Sequence, residues 1–360
     1  MPHIVAGAIK DYDWGIVDGL ARWHGTTGAP QAELWFGTHP SGPTTVVAGD
    51  DAGRLLADVE AHRGMPLVKL LAAGNPLSIQ VHPDGALARR GWSSGSALFA
   101  DDAEKAEMLV ALDPFDVHVG WRDPGDAAAV LAEAGASTQV VETVLAGDPV
   151  ASARCVIGLA PLERAAIAGR LVDAAARCGW DTPAVVALER VIASFPTDAG
   201  VLVTVLLAHD VLHPGEAIAV SAGVVHSYVG GLGIEVMTSS DNVLRLGLTG
   251  KTVAVEEALA AVHADRAPQR LTAQAGAALA PAGMPFDLVV SSDAREISAG
   301  RHRLALALEG PVRIVGGAGA GEVIPMGRAA VWAPDEATAF VEPEGRAAVV
   351  TGVQSGQLPG

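Results

Sequence analysis

Lysine, tyrosine and cysteine are all scarce in this chain of 360 residues. Of 24 basic residues only four are lysines (Lys10, Lys69, Lys105 and Lys251), and the 41 acidic residues leave a formal charge of −17. That shortage of positive charge argues against nucleic acid or an anionic membrane as the main partner. The two cysteines, Cys155 and Cys178, have no CxxC-type spacing. This excludes a disulfide framework and reads as two small side chains in a reducing, cytoplasmic setting. Long apolar runs are missing too. The longest, Val201 to Ala208, is interrupted by Thr204 and is too short to span a bilayer. Lys10, Asp11 and Asp13 follow the first short apolar run, so no secretory signal is expected. What remains is 50% apolar and 18% charged, which excludes general disorder and allows two or three domains.

The first hundred residues carry short apolar segments bounded by Gly and Pro, at Leu34 to Gly37, Pro66 to Leu71 and Leu77 to His82. These read as strands. From Pro124 to Pro196 the spacing turns helical, with about four helices expected. Pro161 sits at a first helical turn, Leu162 to Arg177 has helical periodicity, Gly179 caps it, and Asp181-Thr182-Pro183 opens another helix. Strand character returns at Val201 to Leu207, Ala217 to Val220 and Gly233 to Met237, with one helix at Glu256 to His263. Beyond Arg266, short apolar runs recur at Phe286 to Val290, Leu304 to Leu308, Val312 to Val315, Ala329 to Trp332 and Ala347 to Val350. They suggest a second β-sandwich.

Two segments carry chemistry. In Ser78-Ile79-Gln80-Val81-His82-Pro83, Gln80 and His82 are two apart in a strand, so an amide and an imidazole leave one face. That pattern suits two ligands for one ion, or a polar face at a sandwich mouth. Pro214-Gly215-Glu216 through Ser221-Ala222-Gly223-Val224-Val225-His226 resembles the second cupin motif, with Ser221 at its proline position and Gly223 allowing a turn that aims His226 inward. Together the two segments strengthen the metal reading.

Ala32-Glu33-Leu34-Trp35-Phe36-Gly37-Thr38-His39-Pro40-Ser41-Gly42, Pro76 to Asp84, Lys105 to Leu109, Leu212 to Ala217 and Glu235 to Lys251 follow one another in the order of a known family. On these segments the chain resembles the type I mannose-6-phosphate isomerases. The resemblance implies a mainly β protein with two cupin-like jelly-roll domains and an inserted helical domain. The boundaries expected are 1–122 with 201–265 for the catalytic domain, 123–200 for the helices, and 266–360 for a C-terminal β domain without metal. It implies one zinc ion per chain, held by Gln80, His82, Glu107 and His226. It also implies interconversion of mannose 6-phosphate and fructose 6-phosphate through an enediol(ate), by a monomer.

Charge develops on O1 and O2 during that isomerisation, so a cation there lowers the barrier selectively in the transition state. Zinc could polarise the carbonyl or orient the hydroxyls. Arg245, in Ser240-Asp241-Asn242-Val243-Leu244-Arg245, matches the family's catalytic arginine, with a role at the enediolate or the phosphate. Lys105, Glu235 and Asp241 are further catalytic candidates, the two carboxylates as proton carriers. Ser78, Lys251, Tyr228, Lys69 and Trp14 are expected around the substrate. Where the family reads Asn-His-Lys-Pro-Glu, this chain has Ala103-Glu104-Lys105-Ala106-Glu107. Glu104 thus replaces a histidine proposed as acid/base, and it either takes over that transfer or leaves it to others. His39, His118, His209, His213 and His263 are read as structural. Rival readings are an isomerase of another sugar, a non-catalytic sugar-phosphate sensor, or a cupin oxygenase, which the amide at Gln80 disfavours.

Overall fold

A computed structural model describes residues 1–273 and 276–352, and strand outweighs helix. The tail 353–360 of the expected C-terminal domain lies outside the described residues. Strands Glu33–Phe36, Leu67–Ala73, His226–Met237, Glu107–Ala111 and Glu216–Val220 lie side by side in one antiparallel sheet. A second group, Ile79–Val81, Phe115–Trp121, Leu207–Leu212 and Leu244–Gly247, pairs with or beside the first half of His226–Met237. That twelve-residue strand belongs to both layers. It changes partners around Gly230 and Gly231. Gly231 has φ 144°, and a Cβ there would meet Phe115 at 2.7 Å, so only glycine passes.

Strand periodicity decides what faces the space between these layers. In Leu67–Ala73 every residue is buried. Val68, Leu70 and Ala72 join Met108, Val110, Ile234 and Val236 in a core shared with the C-terminal sheet. The alternate residues, Lys69 and Leu71, turn the other way, as do Glu107 and Glu235 on their strands. Ile79 and Val81 pack into the helical core, which leaves Gln80 on the opposite face.

Helices fill Pro124 to Val205, more of them than expected: Pro124–Glu133, Thr138–Leu145, Pro149–Ile157, Pro161–Ala168, Leu171–Arg177, Thr182–Ser194 and Gly200–Val205. The expected helix from Leu162 to Arg177 is two, divided at Gly169 and Arg170. Pro161 does occupy a first turn, Gly179 takes φ 84°, and the Asp181 carboxylate accepts from the Ala184 N–H at 2.8 Å. One segment departs from its sequence reading. Val201 to Leu207 was expected as a strand, yet Gly200–Val205 is helical and only Leu207–Leu212 is extended. Every residue of that helix is buried, so its β-branched run carries no amphipathic period to separate helix from strand.

At the C-terminal end, Phe286–Ser291, Ala347–Gly352, Arg303–Ala307 and Arg328–Trp332 form a sheet that His3–Ala6 and Thr45–Val46 extend. A four-stranded sheet, Arg295–Ile297, Ala339–Pro343, Val312–Gly317 and Val323–Ile324, completes the sandwich around Trp332, Ile314 and Val341. The chain's first strand therefore belongs to the unit expected to begin at residue 266. Among the described residues, no helix is long and apolar enough to cross a membrane.

Candidate metal centre and active site

Glu107 sits at the start of its strand, 2% exposed, with both oxygens engaged. Oε2 lies 3.1 Å from His82 Nε2 and 3.2 Å from Lys105 Nζ. Oε1 lies 3.0 Å from His226 Nε2 and accepts from the Tyr228 hydroxyl at 3.0 Å. Burial would raise this carboxyl, but the Lys105 ammonium beside it, the largest opposing influence, holds it well below the usual carboxylate range. The same burial raises the Tyr228 phenol well above its ordinary value, so it remains a donor.

The imidazoles are oriented from behind. His82 Nδ1 donates to the Asn242 carbonyl and His226 Nδ1 to the Val224 carbonyl, each at 3.1 Å. Carbonyls only accept, so in the neutral rings the proton is on Nδ1 and the Nε2 lone pairs point at Glu107. Burial, then Lys105, lowers the His82 pKa from 6.5 to about 3, which keeps that ring neutral. Lone pairs thus face carboxylate oxygens across about 3 Å, and His226 Nε2 is buried with no aligned hydrogen bond. Electron pairs brought together this way call for a cation between them, and His82, Glu107 and His226 could hold a metal ion. Among the described residues, no other group of His, Cys, Asp and Glu converges so closely.

Register brings the other candidates in. Gln80 is the direct cross-strand partner of both His226 and Arg245, so the three side chains share one face. The Gln80 amide nitrogen donates to Ser78 Oγ at 3.1 Å, which leaves its oxygen available to an ion. The turn before His226 depends on Gly223: φ is 85°, a Cβ would strike the His263 ring at 2.3 Å, and its N–H donates to the His82 carbonyl at 2.9 Å.

In a parallel row, Trp35, Lys69 and Glu235 are cross-strand neighbours. Lys69 Nζ lies 2.7 Å from Glu235 and 3.4 Å from Glu33. Burial opposes its charge, but the two carboxylates more than offset that, so its pKa is raised. One ammonium cannot satisfy both carboxylates, and burial with nearby Glu107 raises the Glu235 carboxyl despite Lys69. Asp241 is held ionised by His39, whose Nε2 lies 3.1 Å away. Arg245 is half-buried. Among the described residues its Nε has no partner and its Nη1 finds only the Val243 carbonyl at 3.4 Å, and Asp241 acts on its charge without an ion-pair contact. At the rim, Trp14 stacks on Tyr12 at 5.6 Å, and the exposed Lys251 lies over the Tyr12 ring at 5.9 Å.

Glu104 goes elsewhere. It is exposed, and its carboxylate accepts from the Gly85 N–H at 3.0 Å, at the start of helix Gly85–Ser93. Of the histidines read as structural, His209 pairs with Asp116 at 3.2 Å and His263 with Asp84 at 3.0 Å. His39 instead reaches a site carboxylate. His39 was read as structural and Glu33 was given no role; the signal was a carboxylate and an imidazole set in the otherwise apolar segment Glu33-Leu34-Trp35-Phe36-Gly37-Thr38-His39.

Fold and site define the class: a mainly β protein with a buried candidate metal centre of two imidazoles and a carboxylate. Residues 4–124 match the family described as phosphomannose isomerase type I, catalytic domain. The mannose-6-phosphate isomerase of Escherichia coli (strain K12) is 31% identical over 72% of this chain and 74% of its own. That of Schizosaccharomyces pombe is 33% identical over 69% of this chain and 70% of its own. A phosphomannose isomerase structure from Salmonella typhimurium superposes with a TM-score of 0.84 at 23% identity, covering 98% of this chain and 100% of that one. A holo, zinc-bound mannose 6-phosphate isomerase gives 0.84 at 22%, over 98% and 99%. The chain belongs to the type I phosphomannose isomerase family.

Proposed function

We propose that the chain is a zinc-dependent isomerase interconverting mannose 6-phosphate and fructose 6-phosphate. The observation that carries the reading is the buried meeting of two imidazole lone pairs with Glu107, one residue across the sheet from the Arg245 guanidinium. His82, Glu107 and His226, with the Gln80 oxygen, would hold one zinc. When bound, the ion supplies a positive charge that favours the enediolate oxygens over the neutral sugar.

The remaining work falls to side chains whose environments set them apart. Asp241, ionised beside His39, takes the proton from C2 as the C–H electrons form the C1–C2 double bond of the enediolate, and returns it to C1. Glu235, with its raised pKa, holds a proton for a sugar oxygen, and Lys69 fixes its place. Arg245 faces the charge that develops on the enediolate. Lys105 keeps Glu107 ionised and stands beside the same oxygens. Lys251 at the rim takes the phosphate, Ser78 orients Gln80, and Trp14 walls the sugar. Tyr228 acts on Glu107 more directly than on the sugar.

The architecture is read as two cupin-like jelly rolls with the helices of 123–200 inserted, catalysis residing in 1–122 with 201–265 and the 266–360 unit carrying no metal. All four ligands come from one chain, which fits a monomer, and two free cysteines fit the cytoplasm. The test offers zinc-loaded protein mannose 6-phosphate, mannose and glucose 6-phosphate in parallel. Fructose 6-phosphate from the first alone is expected. Preference for another sugar, or binding without turnover, would replace the reading with one of its rivals.

A further inference from the structure

We propose that His39 is the positioning residue of Asp241: a buried imidazole whose Nε2–H, fixed by the ring's other contacts, donates to and aims that carboxylate. The inference rests on the reading of Asp241 as a proton carrier and adds a residue to it.

The lock is visible in the ring's other contacts. His39 Nδ1 accepts the Ser41 N–H at 3.2 Å, so Nδ1 carries the lone pair and Nε2 the proton. Nε2 then has one partner, Asp241 Oδ2 at 3.1 Å. The ring is 3% exposed and packs edge-on against Trp35 with centroids 5.1 Å apart, so it cannot turn to follow a mobile partner. Trp35 is itself fixed. Its indole N–H donates to Glu33 at 3.1 Å, and Lys10 and Lys69 lie over its ring at 4.7 and 4.9 Å. Lys10 also donates to the Ser41 carbonyl, which steadies the turn that holds His39 Nδ1.

Asp241 needs such a clamp. Its side chain is 49% exposed, whereas that of His39 is 3% exposed, and its backbone is held by the Asp101 carboxylate accepting its N–H at 3.1 Å. The charged and titratable groups around it are His39, Lys105, Lys69, Arg245 and Tyr12, with the Asp101 carboxylate on its backbone N–H. Among these His39 supplies the hydrogen bond, and that bond is the first cause of the carboxyl's lowered pKa. A rigid donor therefore fixes the position of a half-exposed base and keeps it ionised at once.

The test compares His39→Leu, which removes the donor, with His39→Gln, whose amide N–H falls near Nε2 and does not titrate. Two readouts are taken: the Asp241 carboxyl titration by 13C NMR, assigned with Asp241→Asn, and kcat against pH. His39→Leu is expected to raise the Asp241 pKa, moving the acid limb of the profile to higher pH, and to lower kcat about 10- to 100-fold with a smaller change in KM. His39→Gln should restore both most of the way, and adding His39→Leu to Asp241→Asn should cost nothing more. If His39→Leu does not fold, His39→Asn serves, because its amide lies near Nδ1 and leaves Asp241 without a donor. An unmoved Asp241 titration, a glutamine variant as damaged as the leucine one, or an equal loss in the Asp241→Asn background would overturn the proposal. A wild-type protein that turns over no sugar phosphate would sink the proposed function instead, while the carboxyl titration still decides the role of His39.

Discussion

Replacing Tyr228 with phenylalanine removes one oxygen from a side chain that is 3% exposed and leaves the ring packed against Phe115. Tyr228 was expected at the substrate, but its hydroxyl is spent on Glu107 Oε1 at 3.0 Å, beside His226. A hydrogen bond to a buried ionised acceptor is worth about 1.5–3 kcal/mol, or roughly 10- to 150-fold in an equilibrium constant. Loss of a residue that orients a metal ligand typically weakens metal affinity about 10- to 100-fold, a range that agrees. Tyr228→Phe should therefore weaken zinc binding by one to two decades, read by competition with a chromophoric chelator. With zinc saturating, KM for mannose 6-phosphate should stay within about threefold of wild type, since no hydroxyl was available to the sugar. Unchanged zinc affinity with a tenfold rise in KM would refute the reasoning and return the hydroxyl to the substrate.

Glu104→Gln should leave turnover within about twofold of wild type, because the carboxylate serves the Gly85 N–H; a hundredfold loss in kcat would return the residue to proton transfer. Arg303 is 1% exposed and donates to five backbone carbonyls, of Ile297, Arg301, Ala333, Glu336 and Ala337. Arg303→Met strands several of them and should cost on the order of 3 kcal/mol in denaturant unfolding of the C-terminal sandwich, with kcat kept; a change under 0.5 kcal/mol would contradict this. Burial lowers His62 from 6.5 to about 4 and His118 from 6.5 to about 3. Because both folded values are depressed, their contribution is complete above pH 6.5 and is lost as pH falls toward 4 and 3. Between pH 7 and 5 the unfolded chain takes up protons the folded one refuses, at about 2 kcal/mol per histidine. His118→Leu should flatten the acid slope of unfolding free energy by that amount, and an unaltered slope would count against it.

How far the sequence carried depended on whether a residue's neighbours were local. The alternation of Ile79, Gln80 and Val81 was readable because a strand sends neighbours to opposite faces, and the structure uses it that way. Pro161, Gly179 and Asp181 marked helix ends because capping is chemistry within a turn. Gly200–Val205 was not readable, since a wholly buried segment has no polar face to reveal its period. Nor was the pairing of His3–Ala6 with Arg328–Trp332, a contact made by chain ends that no local pattern links. In the site, the side-chain types were visible and their directions were not. Glu104 and Lys105 are adjacent, yet one caps a helix outside while the other is buried against Glu107. His39 was visible as a residue, but its partner Asp241 lies two hundred positions further on, and only the folded chain brings them to 3.1 Å.

Titration of metal-stripped protein with zinc, with mannose 6-phosphate isomerisation and bound metal followed together, tests the central claim most directly. Turnover should rise in proportion to zinc, level off at one ion per chain, and vanish along with tight binding in His226→Ala. Full turnover by the stripped protein, or a site filled to one zinc per chain that converts no sugar phosphate, would contradict the account.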